Sequence, residues 1–168
     1  MRVRVDGIPK PGLRIDLDLA VDWTRDAAAD ALEAAADSLS GFLDVQRASG
    51  RTVRVLAEVQ TKAPATCDRC SEAALRTVQT EVELRYLPHS DEAEAELELG
   101  ADDLDIGWYH GGALDLGTVL REVIALAISA RTLCSDTAGC DTRTAALLEQ
   151  GSATETGHPA FAALSELH

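Results

Sequence analysis

Apolar and polar residues alternate along much of the first half of the chain. The alternation runs through residues 1–6, 13–21, 42–48, 51–62 and 75–87. A period of two places neighbouring side chains on opposite faces of a strand, so one face can pack on a core while the other meets water. These stretches therefore predict half-buried β-strands.

Other stretches have helical character. Residues 24–40 are rich in alanine, with Thr24 as a candidate N-cap and Gly41 as the stop, and they predict an N-terminal helix. The segment ALDLGTVLREVIALAISARTLC, residues 113–134, predicts a second helix with Asp115 as its N-cap. Its apolar residues cover most of the circumference, which predicts a long buried helix. The closing HPAFAALSELH predicts a short amphipathic helix.

Together these elements predict an α+β fold. We expect a mostly antiparallel, partly barrel-like sheet packed on one long buried helix, with the N-terminal alanine-rich helix and a short C-terminal helix. The chain has 168 residues, 46% of them hydrophobic, which is enough for one core. We therefore expect a single α+β domain over residues 1–140, then a polar linker and the short helix over residues 141–168.

The formal net charge of −14 restricts the choice of partners. Broad, sequence-independent nucleic-acid binding needs many lysines and arginines against phosphate, so this charge argues against it. The charge is uneven, because SDEAEAELELGADDLD, residues 90–105, holds eight acids and no base. Its composition predicts a mobile acidic loop. The first fifteen residues have the opposite balance, with one acid beside a small basic patch of Arg2, Arg4, Lys10 and Arg14.

The sequence predicts neither an export signal nor a membrane segment. The opening MRVRVDGIPKPG lacks the apolar run of a signal peptide, and nowhere do eighteen uncharged apolar residues follow one another. We therefore expect a soluble, cytoplasmic protein that does not bind membranes. In a reducing cytoplasm, cysteines in close pairs are more typical of metal ligands or free thiols than of disulfides.

The four cysteines form two pairs in separate segments. Cys67 and Cys70 make a CxxC in PATCDRCSEA, at the tip of a predicted hairpin, and Cys134 and Cys140 follow the predicted long helix. A structural zinc ion needs four thiolate or imidazole ligands in a tetrahedron, and two short pairs are a usual source of them. Two other interpretations stay open. The cysteines could be reduced and fill the core as small apolar groups, or the CxxC could be a redox pair, which normally begins a helix in a βαβ unit.

No set of catalytic residues stands out. The chain has no GxSxG, phosphate loop or GxGxxG, and its four histidines show no ligand spacing. Acids on a mobile loop would lack the fixed geometry that general acid–base catalysis requires. We therefore expect a protein that is not an enzyme and that has no small-molecule substrate.

The order of these features resembles the YceD family of large ribosomal RNA subunit accumulation proteins. The resemblance rests on CDRC after a strand pair, the acidic loop, the block ALDLGTVLREVIALAISARTLC and the closing HPAFAALSEL, and it spans nearly the whole chain. This sequence departs from the family pattern in two places. Ser129 and Thr132 stand where many members have prolines, and of the members' later cysteines only Cys140 remains.

The resemblance implies a non-enzymatic factor that supports accumulation of large-subunit ribosomal RNA, and hence ribosome assembly, in a bacterial cytoplasm. It would bind a ribosomal protein or large-subunit precursor RNA, and the acidic surface favours a basic protein. Members with the full cysteine set look zinc-competent, and this chain has fewer cysteines than they have; its two cysteine pairs are the reason that zinc is the expected cofactor. The candidate ligands are Cys67, Cys70, Cys134 and Cys140, and the candidate RNA or partner contacts are Arg2, Arg4, Lys10, Arg14, Arg69 and Arg76.

Two other functions fit the same residues. A small zinc-dependent adaptor or regulatory protein would bind stoichiometric zinc without associating with ribosomes. A thiol oxidoreductase would show a depressed pKa at Cys67. Co-sedimentation with large-subunit precursors would separate the ribosomal role from both.

Overall fold

The computed structural model describes residues 1–89 and 106–152 of the chain. The chain divides into two units, Met1–Ala65 with Leu75–Ala130, which we name the sheet unit, and Thr66–Ala74 with Arg131–His168, which we name the cysteine unit. The predicted acidic loop and the predicted C-terminal helix lie outside the described residues. Within the described ranges, no helix combines the length and the apolar character that crossing a membrane requires.

Two β-sheets form from seven strands in the described part of the chain. A two-stranded antiparallel sheet pairs β1 (Arg2–Arg4) with β7 (Ala113–Asp115). The larger sheet contains β2 (Leu13–Asp16), β3 (Ser38–Arg47), β4 (Val53–Thr66), β5 (Ala73–Pro88) and β6 (Ile106–Tyr109). Its strand order is β2-β3-β4-β5-β6, so each strand pairs with its neighbour in sequence.

Three α-helices accompany these sheets among the described residues: α1 (Asp22–Leu32), α2 (Leu116–Ala127) and α3 (Thr137–Ser152). In the sheet unit α1 packs against α2. The Asp115 carboxylate accepts hydrogen bonds from the backbone amides of Gly117 at 3.0 Å and Thr118 at 3.4 Å, so it caps α2 as the sequence predicted.

The core of the sheet unit follows from the alternation in the sequence. On β4, Val53, Val55, Ala57 and Val59 have no exposed surface, while the residues that alternate with them are more exposed. The facing side of α2 contributes Leu120 and Ile124, which are also fully buried. Burying one such aliphatic side chain stabilises the fold by about 1.5–3 kcal/mol relative to leaving it in water. The apolar faces of the strands and of α2 therefore hold this unit together.

Two predictions about the large sheet are wrong: that its strands are mostly antiparallel, and that it is partly closed into a barrel. The large sheet is mixed, because β5 pairs parallel with β6, with Arg85 opposite Ile106. It is also open, with β2 and β6 at its two edges, and is not closed into a barrel. Apolar alternation has the same period in parallel and antiparallel strands, so the pattern could not reveal either feature.

The predicted long buried helix is also wrong. The helix α2 has 12 residues, and Ile128 after it has an extended backbone with ψ 125°. Its buried side chains recur at helical spacing along one face, whereas Leu126 on another face is 75% exposed. This helix is therefore amphipathic rather than buried all round. Part of the apolar surface of α2 is therefore left exposed to solvent.

The alanine-rich helix is shorter than its composition predicted. Helix α1 ends at Leu32, because Glu33 takes a left-handed conformation with φ 55°. Thr24 lies inside the helix, where its hydroxyl donates to the Val21 carbonyl at 2.8 Å. Gly41 does not end a helix but lies within β3 at φ +126°, where a Cβ atom would come 1.9 Å from the Glu58 carbonyl oxygen. Only glycine fits at this position, where β3 lies so close to its partner strand β4.

Candidate metal centre

The loop between β4 and β5 folds the CxxC back on itself. The Cys67 amide donates to the Glu72 carbonyl at 2.7 Å, and the Ser71 amide donates to the Cys67 carbonyl at 2.9 Å. Ser71 has φ 61°, a left-handed conformation that reverses the chain. This tight turn brings the thiols of Cys67 and Cys70 within reach of one ion.

The segment that begins at Arg131 is held to this loop by two hydrogen bonds, both between Asp68 and Thr132. The Asp68 amide donates to the Thr132 carbonyl at 2.8 Å, and the Thr132 amide donates to the Asp68 carboxylate at 2.6 Å. These bonds fix the segment that carries Cys134 beside the CxxC loop. The Thr132 amide hydrogen makes one of these two bonds, which a proline at this position could not make.

The fourth cysteine lies in the first turn of α3. Asp136 begins this helix, since its carboxylate accepts the Gly139 amide at 3.0 Å and its carbonyl accepts the Cys140 amide at 3.0 Å. A polar linker was predicted from residue 141, whereas Thr137–Ser152 form the helix α3. The cap and the first turn direct Cys140 toward the other three cysteines.

All four sulfur atoms lie within 4.8 Å of one another, so the two pairs converge as their spacing predicted. The sulfurs of Cys67 and Cys140 are 3.8 Å apart, and those of Cys70 and Cys134 are 3.7 Å apart. A tetrahedral zinc ion with Zn–S bonds of about 2.3 Å has its sulfurs about 3.8 Å apart, whereas a disulfide needs about 2.05 Å. Four soft thiolate donors at these distances fit zinc.

The surroundings of the thiols favour ionisation of some but not all of them. The backbone amides of Cys70 and Arg69 lower the pKa of Cys67 to about 6. The Glu72 amide, followed by Arg143, also lowers the pKa of Cys70. By contrast, burial, followed by the neighbouring thiols, raises the pKa of Cys140 to about 12. Four thiolates in one buried cluster repel each other, so full ionisation requires a cation at their centre.

One cation of the protein itself, the Arg143 guanidinium, contacts this cluster. It donates a hydrogen bond from Nη2 to the Cys134 sulfur at 3.5 Å, and its Nη1 lies 3.8 Å from an Asp136 carboxylate oxygen. Hydrogen bonds to Cys70 and Cys134 raise the pKa of Arg143 above its usual value. A zinc ion held by the four thiolates would give the cluster a net charge of −2, which this guanidinium would partly offset.

Residues 55–168 match the family model described as large ribosomal RNA subunit accumulation protein YceD. The match covers more than half of the chain and includes all four cysteines. The chain belongs to the YceD family. Comparison with curated proteins and with solved structures gave no match. The YceD description concerns the accumulation of large-subunit ribosomal RNA, which agrees with the resemblance seen in the sequence.

The arginines and the lysine predicted as contacts of this YceD-family chain have different local roles. Arg2 pairs with Asp115 at 3.4 Å and Arg4 with Asp6 at 2.9 Å, on the two-stranded sheet. Arg14 on β2 lies over the Phe42 ring at 3.6 Å, and Lys10 is exposed in the turn before β2. Arg76 donates to the Leu32 carbonyl at 3.0 Å, and in the cysteine unit Arg69 pairs with Asp141. The six residues therefore do not share one local environment.

Sequence reasoning missed a group of aromatic residues and arginines in the sheet unit. A cavity of about 320 Å³ is lined by Arg2, Trp108, Tyr109 and His110, among others. A second cavity of about 280 Å³ shares Tyr109 with the first and is lined by Arg4, Arg47 and Arg51. The signal in the sequence is the stretch DIGWYHGG, residues 105–112, which holds three adjacent rings.

Proposed function

We propose that this YceD-family protein supports the accumulation of large-subunit ribosomal RNA by binding a component of the assembling large subunit, without catalysis. The observation that carries the proposal is the family match over residues 55–168. The component would be a precursor of the RNA or a ribosomal protein. Binding proteins of this kind need surfaces rather than catalytic groups, and the sequence contains no recognised catalytic motif.

In this proposal a zinc ion would be held by Cys67, Cys70, Cys134 and Cys140, as a structural ion. Four protein ligands leave no open position for water or substrate, which is typical of structural zinc and not of catalytic zinc. When bound, the ion would neutralise thiolates and cross-link the segments that carry them. The buried cluster in this unit consists of cysteines, with only Ala74 as an additional apolar contact among the described residues. A metal would therefore supply stability that apolar burial does not.

A depressed pKa at Cys67 is also what a thiol oxidoreductase would show. The burial of the Cys67 side chain argues against that function. Cys67 is 1% exposed, so a substrate disulfide could not approach its sulfur in line. The amides that lower its pKa equally stabilise a metal-bound thiolate. The CxxC also lies in a loop between strands and not at the start of a helix. We therefore favour the structural zinc site.

Depletion of the protein from cells tests the proposed function. We expect large-subunit ribosomal RNA to fall relative to small-subunit RNA, and free large subunits to decrease in a sedimentation profile, because assembly would lack one of its binding factors. RNA quantification and gradient profiles measure both effects. Restoring the wild-type chain provides the control.

An unchanged ratio of the two RNAs after depletion would contradict the ribosomal role. The zinc-dependent adaptor would then become the better proposal, provided that the purified protein contains stoichiometric zinc. Co-sedimentation of a tagged chain with large-subunit precursors gives an independent reading, since an adaptor that acts elsewhere would remain at the top of the gradient.

A further inference from the structure

Three aromatic rings at one edge of the sheet unit are close together and exposed. The His89 and His110 rings are 4.5 Å apart with a tilt of 31°, and the His89 and Trp108 rings meet edge to face at 6.2 Å. Trp108 lies on the edge strand β6 and is 44% exposed, although large apolar side chains are usually covered. Flat, exposed rings of this kind are what unstacked nucleobases pack against.

Arginines surround the same edge. Arg2 lines the first cavity together with Trp108 and His110, and Arg47 and Arg51 line the second. Arg47 and Arg51 are exposed, and neither guanidinium belongs to an ion pair with another described residue. Arg2 pairs with Asp115 on the surface, an interaction weak enough to exchange for phosphate.

The two cavities have one lining residue in common, Tyr109. Tyr109 is buried at 3% exposure, lines both cavities, and donates a hydrogen bond from its hydroxyl to the Arg51 carbonyl at 2.7 Å. That bond fixes the backbone of Arg51 next to the aromatic edge. Gly111 and Gly112, at φ +60° and +71°, form the turn beside the cavities, where an added Cβ would meet only open space. The first cavity is lined by aromatic rings together with Arg2, and the second is lined by three arginines, so the two offer groups that suit a base and its phosphate.

We propose that these two cavities form a binding site for single-stranded RNA, with a base stacked on Trp108 and backbone phosphate held by Arg47 and Arg51. The inference rests on the proposed function and deepens it, because it selects RNA as the component that is bound. Double-stranded RNA would fit poorly, since its bases are already stacked and only backbone and groove edges remain accessible.

The net charge of −14 does not contradict a local RNA site. The charged residues that line the two cavities are four arginines and two aspartates: Arg2, Arg4, Arg47, Arg51, Asp6 and Asp115. A short site that stacks one or two bases needs few phosphate contacts, unlike the long basic grooves that bind duplexes without sequence preference. The overall charge therefore limits the length of RNA that binds and not the chemistry of this edge.

Tryptophan fluorescence tests the site directly. The chain has two tryptophans, so Trp23→Phe leaves Trp108 as the reporter. Titration with a short single-stranded RNA of mixed sequence should quench this fluorescence, and binding should weaken as salt rises. The same RNA annealed to its complement should quench less. An equal response to the duplex, or no response to either RNA, would overturn the inference.

Variants separate stacking from simple charge attraction. Trp108→Leu should weaken single-strand binding by about ten-fold while Trp108→Phe largely restores it, and Arg47→Glu or Arg51→Glu should each weaken it several-fold. Lys62→Glu is the matched control, because this exposed lysine lines neither cavity. Circular dichroism establishes that each variant is folded.

Two further outcomes would overturn the site. If polyaspartate competes as well as RNA at equal charge, the cavities recognise negative charge alone, as an acidic protein partner would require. If Lys62→Glu weakens binding as much as Arg47→Glu, the attraction is general. Depletion measures the effect of the protein on large-subunit RNA in cells, whereas the titration measures RNA binding at one edge of the purified chain. A negative result in one experiment therefore does not imply a negative result in the other, and the proposed function and the proposed site are tested independently.

Discussion

At the scale of single residues, Arg143 contacts the cysteine cluster without being one of its candidate metal ligands. Its Nη2 contacts the Cys134 sulfur at 3.5 Å, and it lies three residues after Cys140 on α3, within one helical turn. The four cysteines could be chosen from sequence because few residue types bind zinc. Arg143 could not, because any of many arginines could approach a thiolate and only the path of the chain decides which one does.

We predict that Arg143→Gln weakens zinc binding by about ten-fold, since the thiolates lose a compensating charge and a hydrogen bond. Competition with a colorimetric chelator measures the affinity. Arg69→Gln is the matched control, because Arg69 is also in the cysteine unit but pairs with the exposed Asp141 carboxylate. Equal affinities for Arg143→Gln and Arg69→Gln would show that Arg143 has no special role.

At the scale of elements, the start of α2 depends on one carboxylate. Burial raises the pKa of Asp115, but the amides of Thr118 and Gly117, together with Arg2, lower it more, and the net pKa is below the usual range. The pKa is therefore lower in the folded chain than in the unfolded chain. The resulting stabilisation is present above the unfolded pKa of about 3.9 and is lost as the pH falls through the folded pKa.

We predict that Asp115→Ala lowers the free energy of unfolding by about 1 kcal/mol at neutral pH, through loss of the cap. Asp115→Asn keeps a capping oxygen but cannot ionise, so its deficit relative to the wild type should be smaller. That deficit should also shrink as the pH falls from about 4, the pKa of the unfolded carboxyl, through the lower pKa of the folded carboxyl, because the wild type loses its extra stabilisation over that range. Urea unfolding at neutral pH and at pH 3 measures both effects, and a deficit that grows in acid would contradict the assignment.

Sequence patterns predicted most elements but not their ends or their partners. The alternation in β4 and the cap of α2 were predicted because each depends on neighbouring residues. The end of α1 was missed because alanine favours helix through residue 36, whereas the chain turns at Glu33 and enters β3. Helix α3 was missed because its stability does not come from an apolar stripe.

At the scale of the whole molecule, the two units have separate buried clusters. The large cluster is built from strands and from helices α1 and α2, and the small one from cysteines; they share no residue among those described. A metal would therefore stabilise one unit much more than the other, because only one of the clusters contains its ligands.

We predict that chelation of the metal raises amide hydrogen exchange at residues 66–74 and 131–150 and leaves the core of β3 and β4 protected. The expected reason is that apolar burial holds Val45, Val55 and Val59 without a metal, whereas the cysteine cluster loses its cross-link. Exchange measured by mass spectrometry before and after chelation, with zinc added back as the control, reports both regions. Unchanged exchange in the cysteine unit would contradict a structural ion, and loss of protection throughout the chain would contradict separate cores.

The sequence by itself determined the family, the α+β class, the strand faces and the four candidate ligands. Each of these depends on residue type or on spacing within one segment, which the order of residues records directly. Tertiary structure alone decided that β6 joins β5 in parallel, that the sheet stays open, that Arg143 contacts the thiols, and that Trp108 and Arg47 line adjoining cavities. Such features join residues far apart in the chain, and many chain paths satisfy the same local pattern, so only the packing of the folded chain selects one.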